Sequence, residues 1–346
     1  QSSLGHKNLI TDVKGIIVGC SEDKILSTGV TVISGENPLV TAVDVRGGGP
    51  GTKETDILNL DSSVGRADAI VLSGGSAFGL DASTEVQRLL KIDNKGYSVN
   101  GNIIPLVPSA VIFDLKPKNN YWHKNKSIWN KLAKKAYFNM NASFALGSKG
   151  AGFGAKTSTV KGGLGSASWV HYFDNKKKYT IGAIVVNNAV GNPLKNKGPH
   201  FLSGHLEIEK EFGGLGASNE IYDQVIRAKR IKKDKDQLNT VIGAVATDAP
   251  LDRIDLKRIA MMSHDGIARS VHPSHTPMDG DTIFALSTYQ KIVRSDNKIN
   301  KSELTILGAI AADCIARACN RAIYEATRVD DDKPSWKELF KNRFKS

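Results

Sequence analysis

Asn239-Thr240 lies where a polar run, Lys232-Lys-Asp-Lys-Asp-Gln237, gives way at once to the apolar and glycine residues 241–246. Hydrolysis of an amide needs a nucleophile, a base to take its proton and donors for the oxyanion. A threonine hydroxyl is a weak nucleophile unless a base sits beside it, and the free amine of an amino-terminal threonine is such a base. To make that amine, the chain must break before Thr240. The polar loop supplies exposure, and a rigid strand after it holds the new terminus still. Taken alone, the junction is also what any loop-to-strand boundary looks like. Asp279-Gly280-Asp281 sets two carboxylates at i, i+2 across a glycine. At the entrance to a strand, that spacing aims both side chains the same way. One could orient an amine at residue 240; the other could tune its proton affinity or hold a substrate ammonium. The competing reading is a turn, for which Asp and Gly are favoured anyway. Asn188 closes an apolar run, and its amide can donate to an oxyanion or cap the strand end. Asn187 is the rival if the register differs by one.

The elements that must position these groups follow from periodicity. Residues 28–34 and 39–46 alternate apolar and polar side chains, as half-buried strands do, and break at Gly47-Gly-Gly-Pro-Gly51. Residues 69–72 and 111–115 are short apolar strands, and 80–90 have helical spacing. In residues 119–135, Trp122, Trp129 and Leu132 fit one side of a helix. The glycine-rich stretch 147–165 is either a flexible loop or backbone held close to something. Residues 179–187 form an apolar strand, and 220–235 a polar helix followed by an exposed loop. Thr240-Val-Ile-Gly-Ala-Val-Ala-Thr247 is a strand buried on both faces. Asp248 and Pro250 then start a helix to about residue 270 that turns Ile254, Ile259 and Met262 inward. A strand at 282–288 and a long helix over 302–326 complete the chain. This mixed order, with no linker and no internal repeat, predicts one α/β domain over residues 1–346 with helices covering stacked sheets.

The chain's 346 residues, 40% hydrophobic and 24% charged, can bury a large core. No run approaches the roughly 18 consecutive apolar residues of a membrane span, so no membrane partner is expected. A net charge of +12 raises the question of nucleic acid. The lysines, however, fall in short hydrophilic stretches at 124–135, 176–178, 229–235 and 333–345, without the interleaved aromatics of a single-strand platform. A solvated basic surface and no nucleic-acid partner are expected. Three cysteines make no disulfide framework; Cys314 and Cys319, five apart on a helix, point in different directions. No spacing fits zinc, and neither metal nor cofactor is expected. His264, His272 and His275 read as loop and helix-end residues, with a metal or acid–base role as the alternative. The glycine loops at 47–51 and 74–79 complete neither a phosphate-loop nor a dinucleotide motif and read as tight turns beside the active site. The chain starts at Gln1, not Met, which predicts a removed upstream segment. The sparse cysteines suit the cytoplasm, and a removed leader suits the periplasm.

The segment Asn239-Thr-Val-Ile-Gly-Ala-Val-Ala-Thr-Asp-Ala-Pro-Leu251 closely resembles the processing region of the DmpA-type aminopeptidases. These are the L-aminopeptidase/D-esterases, a group that also holds β-peptidyl aminopeptidases and the endo-acting nylon-oligomer (6-aminohexanoate) hydrolases. The likeness recurs in order. Residues 8–19 resemble the family's opening strand, 45–52 and 72–80 its glycine loops, and Asp279-Gly-Asp-Thr-Ile-Phe-Ala-Leu-Ser287 its second catalytic segment. The resemblance implies a four-layer αββα sandwich, similar to amino-terminal-nucleophile (Ntn) hydrolases but with DmpA-type connectivity. It implies autocleavage between Asn239 and Thr240 into fragments 1–239 and 240–346, an acyl-enzyme on Thr240, and catalytic roles for Asp279 and Asp281. Lys161, opening Lys161-Gly-Gly-Leu-Gly165, corresponds to an active-site lysine. Its charge would depress the pKa of the threonine amine or help hold the oxyanion; against this stands a surface lysine in a glycine loop. Threonine followed by Asp-Gly-Asp looks more like the nylon-oligomer branch. The resemblance further implies a homo-oligomer, a tetramer of processed heterodimers, acting on small peptides or amides.

Three alternatives stand beside this reading. One is β-peptidyl or L-aminopeptidase exo-activity. Another is acyl transfer like that of ornithine acetyltransferases, which also cut before a threonine, although segment 279–287 and the opening strand look less like that group. The third is a basic binding protein without catalysis.

Overall fold

The computed structural model describes residues 2–117, 119–174, 177–221, 239–291, 293–294, 297–329 and 332–340. Along the chain run β1 (Ile16–Asp23), β2 (Thr28–Val45), β3 (Thr52–Lys53), β4 (Arg66–Ser73), α1 (Asp81–Ile92), β5 (Tyr97–Val99), β6 (Asn102–Ile104), β7 (Ser109–Val111), β8 (Trp122–His123), β9 (Lys126–Ser127), α2 (Ile128–Phe138), β10 (Gly163–Tyr172), β11 (Lys178–Asn188), β12 (Thr240–Thr247), α3 (Arg253–Ser270), β13 (Thr282–Ser287), α4 (Lys301–Tyr324) and α5 (Trp336–Phe340). The main sheet has the order β10-β11-β12-β13-β2-β4-β7-β3, with β1 also paired to β2. β12 and β13 are parallel, while β11 and β2 flank them antiparallel.

β2 makes one sheet into two layers. Residues 28–35 pair with β1, residues 40–45 pair with β13, and the register against β4 shifts between Ser34 and Leu39. Ile33, Leu39 and Val43 all face one core, shared with Ile70, Leu72, Ile242 and Phe284. On the opposite side, Val30 and Val32 pack with Val86 of α1 and Trp129 of α2. Further along, Ala42 packs with Ile259 of α3 and Ile315 of α4. With period-2 alternation, the strand keeps one face inward while its outer face passes from one helix pair to the other. The sheet therefore folds over on itself, giving helices, sheet, sheet, helices, as expected for the αββα class. β12 shows the same geometry: Val241 and Val245 face α3 and α4, and Ile242, Ala244 and Ala246 face the inter-sheet core. All eight of its residues are buried. Each large aliphatic buried this way contributes roughly 1.5–3 kcal/mol.

Several local expectations need correcting. Residues 28–45 form a single 18-residue strand, because the irregularity at 35–38 bends the ladder without ending it. Trp122 is not on a helix. Lys124 and Asn125 both take positive φ, the twist a two-residue hairpin turn requires, so Trp122 pairs with Ser127 and α2 starts at Ile128. Asp248 does not cap α3: its carboxylate accepts the Thr180 N–H at 2.8 Å. The cap is Asp252, which accepts from the Asp255 N–H. The later start leaves Ile254 in the exposed first turn, while Ile259 is buried. The strand placed at 111–115 is Ser109–Val111. The stretch 147–165 is backbone held close: a Cβ on Gly165 would lie 1.8 Å from the Ala318 carbonyl oxygen of α4. The helix and loop expected at 220–235 lie almost wholly outside the described residues. Cys20, Cys314 and Cys319 are free thiols, and no helix among the described residues is long and apolar enough to cross a membrane.

Candidate active site

The parallel ladder of β12 and β13 extends one step beyond both strands, through a bridge between Asn239 and Asp279. Thr240 therefore lies opposite Gly280, and Val241 opposite Asp281. On the other side, Asn188 is the antiparallel partner of Thr240. Three central strands thus deliver Asn188, Asn239-Thr240 and Asp279-Gly280-Asp281 to one end of the sandwich. The Thr240 hydroxyl donates to the Asn239 carbonyl oxygen at 2.5 Å and accepts the Gly280 N–H at 3.0 Å. Gly280 sits in close approach: a Cβ there would lie 3.0 Å from both Thr240 Oγ1 and the Gly49 carbonyl oxygen, so either would have to give by a few tenths of an ångström. Gly47, Gly48 and Gly49 line this turn, and the Gly49 N–H donates to the Asp279 carbonyl at 2.8 Å. The 47–51 loop thus lies against the catalytic candidates.

Both carboxylates are buried and held mainly by backbone donors. Asp281 Oδ1 accepts the Val241 N–H at 2.7 Å. Its Oδ2 accepts the His275 N–H at 2.9 Å and faces His275 Nδ1 at 2.7 Å. Asp279 accepts from the Thr276 N–H at 2.8 Å and the Val190 N–H at 3.4 Å. Burial, and then the Asp281 charge, push the Asp279 carboxyl up to about 6, as expected of neighbouring acids in a dry site. Among the described residues, neither carboxylate hydrogen-bonds the Thr240 hydroxyl while residues 239 and 240 remain joined.

Strand alternation separates the two asparagines. Asn187 Nδ2 donates to the Cys319 carbonyl of α4 at 3.2 Å, so its side chain is turned away from the site. Asn188 shares the face of Thr240; its Oδ1 accepts the Lys156 N–H at 2.9 Å, and its Nδ2 makes a long 3.5 Å contact with the Phe113 carbonyl. Lys161 stands one step further off. It is fully buried, with Nζ donating to the Ala155, Gly162 and Gly152 carbonyls at 2.5, 3.2 and 3.4 Å, and so is not the surface lysine of the competing reading. No hydrogen bond joins it to Thr240. Desolvation pulls its ammonium down to about 8, against the attraction of Asp332 and Asp114.

Other groups near the site carried little signal in the sequence. Asp114 accepts the Gly75 N–H at 2.7 Å. Burial pushes it up to about 7 against the pull of Thr28, Gly75 and Lys161. The second glycine loop thus reaches this region through Asp114. His264 lies in α3 and His275 in the loop that follows it, the kinds of element expected; beyond that, their rings meet edge to face at 4.9 Å, and His275 binds Asp281. The clustering of His264, His272 and His275, and the closeness of His275 to Asp279-Gly280-Asp281 in the chain, were the hints. Among the described residues, no group of three or more His, Cys, Asp or Glu side chains is arranged to hold a metal ion.

The model of peptidase family S58 matches residues 8–335. An uncharacterized aminopeptidase of Mycobacterium leprae (strain TN) is 38% identical over 340 residues, 93% of this chain and 91% of its own. The 6-aminohexanoate-oligomer endohydrolase of Agromyces sp. (strain KY5R) is 28% identical over 322 residues, 90% of this chain and 84% of its own. Among solved structures, the L-aminopeptidase D-Ala-esterase/amidase from Ochrobactrum anthropi, described as a new variant among the Ntn hydrolase fold, superposes with a TM-score of 0.70. That match has 22% identity and covers 94% of this chain and 88% of the other.

Proposed function

The chain belongs to peptidase family S58 and is a hydrolase of amide bonds, and on that premise we propose that it cuts itself between Asn239 and Thr240 and then attacks substrate amides with the Thr240 hydroxyl. The carrying observation is the contact of Thr240 Oγ1 with the carbonyl oxygen of the preceding peptide at 2.5 Å, with the Gly280 N–H at 3.0 Å. That N–H stabilises negative charge as it develops on the hydroxyl oxygen. In the first step, Oγ bonds to the Asn239 carbonyl carbon and the carbon–nitrogen bond to Thr240 breaks. The nitrogen takes up the proton and leaves as a free amine. Water then hydrolyses the resulting ester, releasing the Asn239 carboxylate. In turnover, the new amine takes the hydroxyl proton, an acyl-enzyme forms on Thr240, and water removes it. Asp281 fixes the strand start through the Val241 N–H, Asp279 accepts or holds a proton, and the loosely engaged Asn188 Nδ2 donates to the oxyanion. The Lys161 charge favours the neutral amine.

Likeness to the 6-aminohexanoate-oligomer endohydrolase, together with threonine at 240 and aspartates at 279 and 281, supports oligomeric amides or peptides cut within their length. A second reading, removal of amino-terminal residues, is favoured by the aminopeptidase relative at 38% identity. Mass analysis of the two bands on a denaturing gel tests the core of the proposal. Thr240→Ala should remain one band and lose turnover by a factor of at least about 10³; splitting of that variant at the same bond would remove Thr240 as nucleophile. Internal fragments from a 6-aminohexanoate oligomer mark endo-cleavage, and stepwise monomer release marks exo-cleavage.

A further inference from the structure

His275 occupies an unusual place. Its backbone is in the left-handed region at φ 54°, a conformation that costs a side-chain-bearing residue energy unless its surroundings enforce it. The result is that two donors of one residue, the backbone N–H and the ring Nδ1, converge on one oxygen, Asp281 Oδ2, at 2.9 and 2.7 Å. Nδ1 faces an acceptor oxygen, so it carries the ring proton. With Oδ2 taken twice, Oδ1 is left for the Val241 N–H at 2.7 Å, the amide that follows the nucleophile. Behind His275, the His264 ring packs edge to face at 4.9 Å. His264 is itself fixed by Nε2 at 2.9 Å from the Asp44 carbonyl oxygen. The Asp44 carboxylate is gripped by Lys257 at 2.8 Å and Arg46 at 2.7 Å. One chain of contacts thus runs from the end of β2 through α3 and the 271–281 loop to the starts of β13 and β12.

We infer that His275 is a positioning residue: by holding Asp281 Oδ2 through its ring N–H, it sets the carboxylate so that Oδ1 fixes Val241 and, one residue away, the Thr240 hydroxyl against the Asn239 carbonyl. His264 acts behind it as a stop on ring rotation. Burial pushes His264 down to about 4, so it stays neutral and adds no charge beside the acids. The inference rests on Thr240 being the nucleophile, and it assigns to His275 no contact with substrate.

Self-cleavage supplies the test without any choice of substrate. Chains made by cell-free synthesis are followed by gel for conversion of one band into two, with thermal melting as the folding control. His275→Asn puts an amide N–H where Nδ1 sits, and asparagine tolerates positive φ. It should split within about tenfold of the natural rate. His275→Gly accepts the backbone geometry even more readily and keeps the backbone N–H bond, but removes the ring donor. It should split about 100-fold more slowly, the scale of a small misplacement of reacting groups, while melting within a few degrees of His275→Asn. Equal rates for the two variants, whether both fast or both slow, would overturn the role assigned to the ring. Failure here leaves Thr240 untouched as nucleophile, whereas cleavage of Thr240→Ala would remove the nucleophile itself.

Discussion

The two ends of β12 and β13 hold the same chemical group in opposite circumstances. At the far end, Asp248 follows β12 directly and is half-buried. Desolvation raises it, and the Thr180 backbone and hydroxyl, its own backbone and the Lys178 ammonium lower it. At the near end, Asp279 is raised first by burial and then by a second carboxylate, Asp281, against the backbone and hydroxyl donors of Thr276 and the Val190 N–H. The far end spends a half-buried carboxylate on joining two strands, through the Thr180 N–H of β11. The near end leaves two charges in competition, so one of them gains and loses its proton close to neutrality. Partial burial alone does not single out Asp248 as a candidate; it is the second carboxylate raising a buried acid further that makes Asp279 the candidate acid–base group of the proposed mechanism.

The largest test of that contrast is removal of charge at each end in turn. Asp279→Asn should lower turnover by about 10²–10⁴-fold, the range for general acid–base groups, and Asp281→Asn, which disturbs the placement of Val241 and Thr240, by about 10²-fold. Asp248→Asn keeps an oxygen for the Thr180 N–H and should leave kcat within about twofold, lowering stability by at most about 1 kcal/mol. Steady-state rates and thermal melts of the three proteins decide it. A turnover loss in Asp248→Asn matching the other two would erase the distinction between the ends.

A smaller effect sharpens the comparison through pH. An acid that must accept a proton works only when ionised, so with Asp279 at about 6 the rate of self-cleavage should rise about tenfold per unit below pH 6 and level off above it. The precursor has no free Thr240 amine, so that limb belongs to the carboxylates alone. Stability moves the other way. The folded pKa of Asp279 lies above the ordinary aspartate value of 3.8, so the folded chain binds the extra proton between about 4 and 6. This group's contribution to stability is therefore full below that window and lost as pH rises through it. A splitting rate already flat at pH 5 would detach Asp279 from proton transfer.

Much of this was legible in the sequence, and the failures share a cause. Residues 240–247 read correctly as a doubly buried strand because a continuous apolar run has few other homes, and α1, α3 and α4 followed from their spacing. The Asn239-Thr240 junction and Asp279-Gly280-Asp281 were visible as chemistry, but their meeting depends on a parallel register 40 residues apart, which no local pattern encodes. The same holds for the bond from Asp248 to Thr180, which moved the helix cap to Asp252, and for the bond from His275 to Asp281. Trp122 misled because helical spacing ignored the Lys124-Asn125 turn, and the single strand over 28–45 looked like two because its outer face changes partners midway. Helices over stacked sheets followed from the element order and the four-layer form from resemblance; the structure supplies the physical reason in that change of partners.

The smallest prediction asks whether the two ends communicate along α3, which runs from Asp252 at the far end to Ser270, just before the loop that carries His275. Asp252 caps the helix by accepting the Asp255 N–H at 2.9 Å and also pairs with Lys298 at 2.6 Å. The pair is half-exposed and worth little, so Asp252→Ala should cost about 1 kcal/mol, mostly the cap. That loss should fray only the first turn. The far half of α3 is fixed independently, by His264 on the Asp44 carbonyl and by Gly266, where a Cβ would lie 2.1 Å from the Ala312 carbonyl oxygen of α4. Self-cleavage of Asp252→Ala should therefore proceed at the natural rate, and its stability loss should add to that of His275→Gly within about 0.5 kcal/mol, as for separated sites. A coupling well above that in the double variant, read from thermal melts, would mean that the helix transmits strain from its cap to the active end and that the two ends are not independent.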